Sequence, residues 1–177
     1  MATNPKADPK ASAALQKIAI PWDAPDAPRP DFFSIRPQLL DAGNTEEPLS
    51  VADHLWVKIK VYAKGGENQL HAHPHQDHSF IVLDGRACFH GPRDEQKELG
   101  KGEGIFLPKG SFYWFETISE EPLVLLRVGA TEADVASQDT KHPDTRIMPD
   151  GSWQVRRGRS DTFVSKDIDY RDGEFYE

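Results

Sequence analysis

From Leu55 to Tyr62 apolar and polar residues alternate, with Val57, Ile59 and Val61 on one face and Lys58 and Lys60 on the other. A side-chain period of two predicts a strand. Gly65-Gly66 reads as a turn, Gln69 to His73 as a second strand, and His78 to Leu83 as a third. Asp84-Gly85 is a hairpin signal leading into a strand over Arg86 to His90. Turns at Gly91-Pro92 and Pro108-Lys109-Gly110 separate short strands over Ile105 to Leu107, Phe112 to Ile118 and Pro122 to Val128. No helix-period run of useful length interrupts them. The stretch from about residue 51 to about 130 therefore predicts an all-β barrel or sandwich.

The flanks read differently. Residues 1–50 form an N-terminal arm and packing segment, with prolines at 5, 9, 21, 25, 28 and 30 that exclude a long helix. A turn or two of helix fits Ala11 to Ala19, and a short one fits the start at Thr131 to Asp134. Residues 131–177 form a polar C-terminal extension, with Trp153-Gln154-Val155 as a strand candidate. Its apolar anchors, including Phe163, Val164, Tyr170, Phe175 and Tyr176, predict packing on the barrel or on a partner subunit.

Composition narrows the function classes. A net charge of -8 argues against nucleic acid, whose phosphates need a basic face. No window approaches the roughly 18 apolar residues of a membrane span, and the N-terminus lacks a signal-peptide core. The single cysteine, Cys88, excludes an internal disulfide and fits a reducing cytoplasm. It reads as a small buried hydrophobe.

Four of the seven histidines lie between Gly65 and Gly85. On a strand His71 and His73 share a face. If the segment Pro74-His75-Gln76-Asp77 is a tight turn, a hairpin brings His78 beside them. Three neutral imidazoles in a cavity make a site for a divalent transition metal. Asp77 is the fallback carboxylate if the register slips by one residue. His75 belongs to the turn, and His54, His90 and His142 read as solvated.

The two segments that carry this pattern resemble the motifs of the cupin superfamily. The first runs Gly65, five residues, His71-Ala72-His73, four residues, His78, six residues, Gly85. Cupins usually place glutamate where His78 stands. The second runs Gly102, five residues, Pro108-Lys109-Gly110, two residues, Tyr113, three residues, Thr117, with Tyr113 at a position usually held by histidine. The resemblance implies a double-stranded β-helix, or jelly-roll barrel, with a metal in its mouth. It places ligands at His71, His73 and His78, and at Tyr113 a phenol that either ligates or acts on substrate or O2.

The function so implied is that of a metal-dependent enzyme, foremost a non-haem iron dioxygenase acting on a small oxygenated molecule. Fe(II) is favoured, and Zn, Ni, Mn and Cu also accept imidazole. Two other readings stay open: a non-redox isomerase, lyase or decarboxylase, and a cupin that binds a metabolite without turnover. Arg127 is a candidate for gripping a substrate carboxylate if its face lines the cavity, with Phe80 as an apolar contact; Lys58 and Lys60 share the same ambiguity of face. A homodimer is expected from the arm and the aromatic tail.

Overall fold

The computed structural model describes residues 24–25, 27–65, 68–131, 145–155 and 158–177. The chain divides into two units, Met1–Phe32 and Phe33–Glu177. Most of the first unit lies outside the described residues, including the helical turns expected at Ala11 to Ala19. The short helix expected from Thr131 also falls outside them beyond its first residue.

Among the described residues the larger unit is built from strands. In chain order they are β1 (Gln38–Ala42), β2 (Asn44–Val51), β3 (Leu55–Tyr62), β4 (Gln76–Asp84), β5 (Ala87–His90), β6 (Gln96–Leu99) and β7 (Gly104–Leu107). There follow β8 (Trp114–Thr117), β9 (Leu123–Thr131), β10 (Thr145–Ile147), β11 (Trp153–Val155), β12 (Phe163–Val164) and β13 (Asp169–Phe175). A six-stranded sheet runs in the order β12-β2-β3-β9-β4-β7, and a three-stranded sheet in the order β6-β5-β8. Two small sheets pair β1 with β13 and β10 with β11.

The two larger sheets close over an apolar core. Phe80 and Val82 of β4, Phe89 of β5, Phe115 of β8, and Leu123 and Leu125 of β9 belong to it. Burying each such side chain contributes on the order of 1.5–3 kcal/mol. A second cluster lies on the opposite face of β3 and β9. There Ile59, Val61 and Val124 are buried with Leu40 of β1, and Ile168 and Tyr176 pack against them. Both faces of β3 are thus covered, which is why its lysines do not mark a solvent face.

Several local expectations change. The sheet begins earlier than residue 51, because β2 pairs antiparallel with β3 from Asn44 to Val51. The predicted strand over Gln69 to His73 is reduced to two isolated bridges, His71 to Tyr113 and Ala72 to Ile147. The turn after it is shorter, since Gln76 and Asp77 already belong to β4. That segment and β4 do not form a hairpin, because β4 pairs with β9 and β7. Asp84-Gly85 also joins different sheets. Gly85 has φ +73, and a Cβ there would lie 2.7 Å from the Pro122 carbonyl oxygen. β6 escapes sequence reading because three of its four residues are polar and exposed.

Candidate functional site

Strand parity decides what enters the barrel. β3 pairs with β9 so that Lys58 stands opposite Arg127, Lys60 opposite Leu125 and Trp56 opposite Gly129. Leu125 belongs to the inner core, so Trp56, Lys58, Lys60 and Arg127 share its face. Lys58 and Arg127 are each 3% exposed, which answers the question of face for both. Glu46, on β2 opposite Lys60, accepts from Lys58 Nζ at 2.7 Å and Lys60 Nζ at 2.5 Å. Arg127 Nη1 lies 3.5 Å from the same carboxylate. Three buried cations are therefore held against Glu46.

Trp56 packs over this group. The Arg127 guanidinium lies 4.7 Å from its ring centroid, and the His78 ring meets it edge-on at 5.3 Å. Gly129 is what makes room: a Cβ there would come within 2.0 Å of the indole. The buried Trp56 Nε1 has no hydrogen-bond partner among the described residues. An indole N–H is a donor only, so an acceptor brought into the site would satisfy it.

The structure brings His71, His73 and His78 together at the edge of this charged face. Ring centroids are 4.9 Å apart for His71 and His73, and 4.3 Å for His73 and His78. His71 Nδ1 lies 2.6 Å from the Gln69 carbonyl oxygen, and His73 Nδ1 lies 3.1 Å from that of Thr145. A carbonyl only accepts, so each Nδ1 carries the proton and each Nε2 carries a lone pair. The two Nε2 atoms are 3.1 Å apart. Nitrogen ligands at about 2.1 Å from one ion, roughly at right angles, are separated by about 3.0 Å. Backbone carbonyls that fix the tautomer are the usual outer support of metal-bound histidines. On this donor chemistry the His71 and His73 pair fits a divalent ion.

His78 is engaged differently. Its Nε2 lies 3.0 Å from Gln76 Oε1. Arg127 Nη2 lies 3.2 Å from His78 Nδ1 and 3.4 Å from His73 Nε2. Arg127 Nη2 lies equally close, 3.2 Å, to His78 Nε2. The guanidinium thus sits between the second and third imidazoles.

Tyr113 and Phe80 also belong to the neighbourhood. The buried Tyr113 ring lies 4.7 Å from His71 and 5.8 Å from Phe80, and its backbone exchanges hydrogen bonds with that of His71. A cleft of about 520 Å³ is lined by Tyr113 with apolar Phe89, Ile105, Leu107 and Phe112 and with polar His90, Arg93, Glu95 and Lys97 among others. Tyr113 is common to the cleft and to the histidine group. Burial, then the charge of Arg146, then that of His73, push His71 down to a pKa of about 2, so the ring is neutral at physiological pH.

The remaining candidates lie elsewhere. The Asp77 carboxylate accepts from the backbone N–H of Lys109 at 2.8 Å, so no register slip turns it inward. The His75 ring stacks near Trp153 at 6.5 Å. His142 lies outside the described residues. His90 is not solvated as expected: it bonds Glu116 at 3.0 Å and stacks on Trp114 at 3.9 Å. Sequence reading missed Glu46, Trp56, Gln76 and Arg146. Only Trp56 carried a signal, since it shares the parity of Lys58 and Lys60.

Comparison with known proteins agrees with this architecture. The profile described as "Cupin domain" matches residues 58–129. This stretch is a cupin domain. The chain is similar to an uncharacterized conserved protein with a double-stranded beta-helix domain from Klebsiella pneumoniae, at TM-score 0.50 and 16% identity, covering 78% of this chain and 99% of that one. It is also similar to the Cnp3 cupin domain of Schizosaccharomyces pombe, at TM-score 0.49 and 18% identity, covering 54% and 69%. KdgF from Halomonas sp. gives 0.46 and 16%, covering 52% and 84%. Among curated proteins there is no match. At such identities the likeness concerns the fold, and the cupin domain's chemistry has to be argued from its own residues.

Proposed function

We propose that the cupin domain is a metal-dependent active site for a small organic oxyanion. The observation that carries this reading is the pair of Nε2 atoms 3.1 Å apart, each with its Nδ1 turned to a carbonyl. His71 and His73 hold the ion, for which Fe(II) is proposed on the family resemblance. His78, whose ring lies 4.3 Å from that of His73, would be the third ligand. A bound divalent ion supplies Lewis acidity toward a substrate oxygen.

The chain's own groups do the rest. Arg127 presents a planar fork suited to a carboxylate. Lys58 and Lys60 keep the floor of the site cationic, which favours the anionic form of a substrate. The Trp56 indole N–H offers one further donor. Tyr113, which borders both the cleft and the histidine group, serves as the proton donor. The cleft bordered by Tyr113 takes the substrate's uncharged body.

Metal analysis of protein purified without chelator is expected to give about one more divalent ion per chain than the His71→Ala/His73→Ala double variant holds. Equal metal content in the wild type and that variant would overturn the assignment. Turnover of small oxo- and hydroxy-acids with and without O2 then sorts the chemistry. Strict O2 dependence identifies the oxygenase, and anaerobic turnover the non-redox isomerase, lyase or decarboxylase. Saturable binding with no turnover identifies a binding cupin.

A further inference from the structure

The outer face of the three-stranded sheet carries a second set of donors. Ala87 and Phe89 point into the core, so Cys88 and His90 fall on the other face of β5. Glu116 of β8 stands directly opposite Cys88, and Trp114 directly opposite His90. On the other side Glu98 of β6 pairs with Cys88. One ligand atom from each of Cys88, His90 and Glu116 lies within 4.8 Å of the other two.

We propose that Cys88, His90 and Glu116 form a second metal site, for Zn(II) or another borderline-soft divalent ion, on the outside of the barrel. Each donor suits that ion: a thiolate, an imidazole and a carboxylate, with the fourth position left to water. Sulfur separates this site from the histidine pair, which has only nitrogen. Binding displaces the thiol proton to solvent and forms the metal–sulfur bond, with no change of oxidation state.

The geometry is held before any ion arrives. The His90 ring lies flat on Trp114, 3.9 Å away with 7° between the planes. Its Nε2 lies 3.0 Å from Glu116 Oε1. The Cys88 side chain sits just beneath the surface at 7% exposure, next to the two carboxylates. Glu98 is turned to Arg86 at 2.5 Å, leaving Glu116 as the carboxylate that faces the imidazole. Because β5 and β8 both contribute, an ion here fastens the two strands across the sheet.

Cys88 is the chain's only cysteine, so any sulfur-to-metal charge transfer has one source. Titrating the full-length protein with Co(II) is expected to produce a near-ultraviolet thiolate charge-transfer band that saturates at about one ion per chain. Cys88→Ser is expected to remove the band, and Glu116→Gln to weaken Co(II) binding at this site at least roughly tenfold. Circular dichroism establishes that both variants are folded. No charge-transfer band in the folded wild-type protein overturns the site, and so does an unchanged titration in Glu116→Gln. Loss of metal from the histidine pair alone leaves this band in place, so failure of the barrel site and failure of this one are told apart.

Discussion

The two faces of β3 make an instructive pair. On one, Ile59 and Val61 are buried under Leu40 and its neighbours. On the other, Lys58 and Lys60 are buried around Glu46 inside the barrel. The alternation looks like that of a half-exposed strand, yet neither face meets much water. The apolar face needs only close packing. The charged face needs opposite charge at short range, because desolvating each ion costs several kcal/mol.

The sharpest break between the faces comes from removing the carboxylate. Glu46→Gln leaves Lys58, Lys60 and Arg127 without the counter-charge they share, and is expected to cost about 3–5 kcal/mol in urea unfolding. An added small dicarboxylate is expected to recover part of that loss. Ile59→Ala on the other face is expected to cost about 2–5 kcal/mol through a cavity. Its loss does not respond to added anion beyond the shift seen in the wild type, and equal recovery in both variants would erase the distinction drawn between the faces.

Acid tests the same boundary more gently. The pKa of His71 is lowered on folding from 6.5 to about 2, so below 6.5 the unfolded chain binds a proton that the folded chain does not. Stability from this ring is complete above pH 6.5 and falls as pH drops toward the folded value. The slope is about 1.4 kcal/mol per pH unit. Metal-free protein is expected to lose about 2 kcal/mol between pH 7 and pH 5, and His71→Gln to show a correspondingly flatter profile by thermal melts. The smallest effect belongs to the surface: Phe106 is 62% exposed, and Phe106→Ser is expected to change stability by less than about 0.5 kcal/mol.

Much of the barrel was legible in the chain. The strand β3 follows from alternation, and β4 and β9 from short apolar runs bounded by turn residues, and these are local properties. The glycine, proline and histidine frame of the two motifs resembles that of cupins. Strand pairing was less legible. His71 meets Tyr113 and Ala72 meets Ile147 because the segment crosses between sheets, whereas the nearest-neighbour reading joined it to β4 as a hairpin. Cys88 is buried, as expected of a small apolar residue on a strand, but its neighbours Glu98 and Glu116 come from strands on either side.

The sequence by itself determined the class of fold, the short strands and the shared parity of His71 with His73 and of Lys58 with Lys60, because side-chain direction along a strand depends only on the local backbone. Tertiary structure alone decided which parity faces the barrel interior, that Arg127 comes between His73 and His78, and that Glu46 gathers the buried cations. Those facts depend on the partners of each strand, and pairing between residues far apart in the chain is set by the burial of the whole sheet.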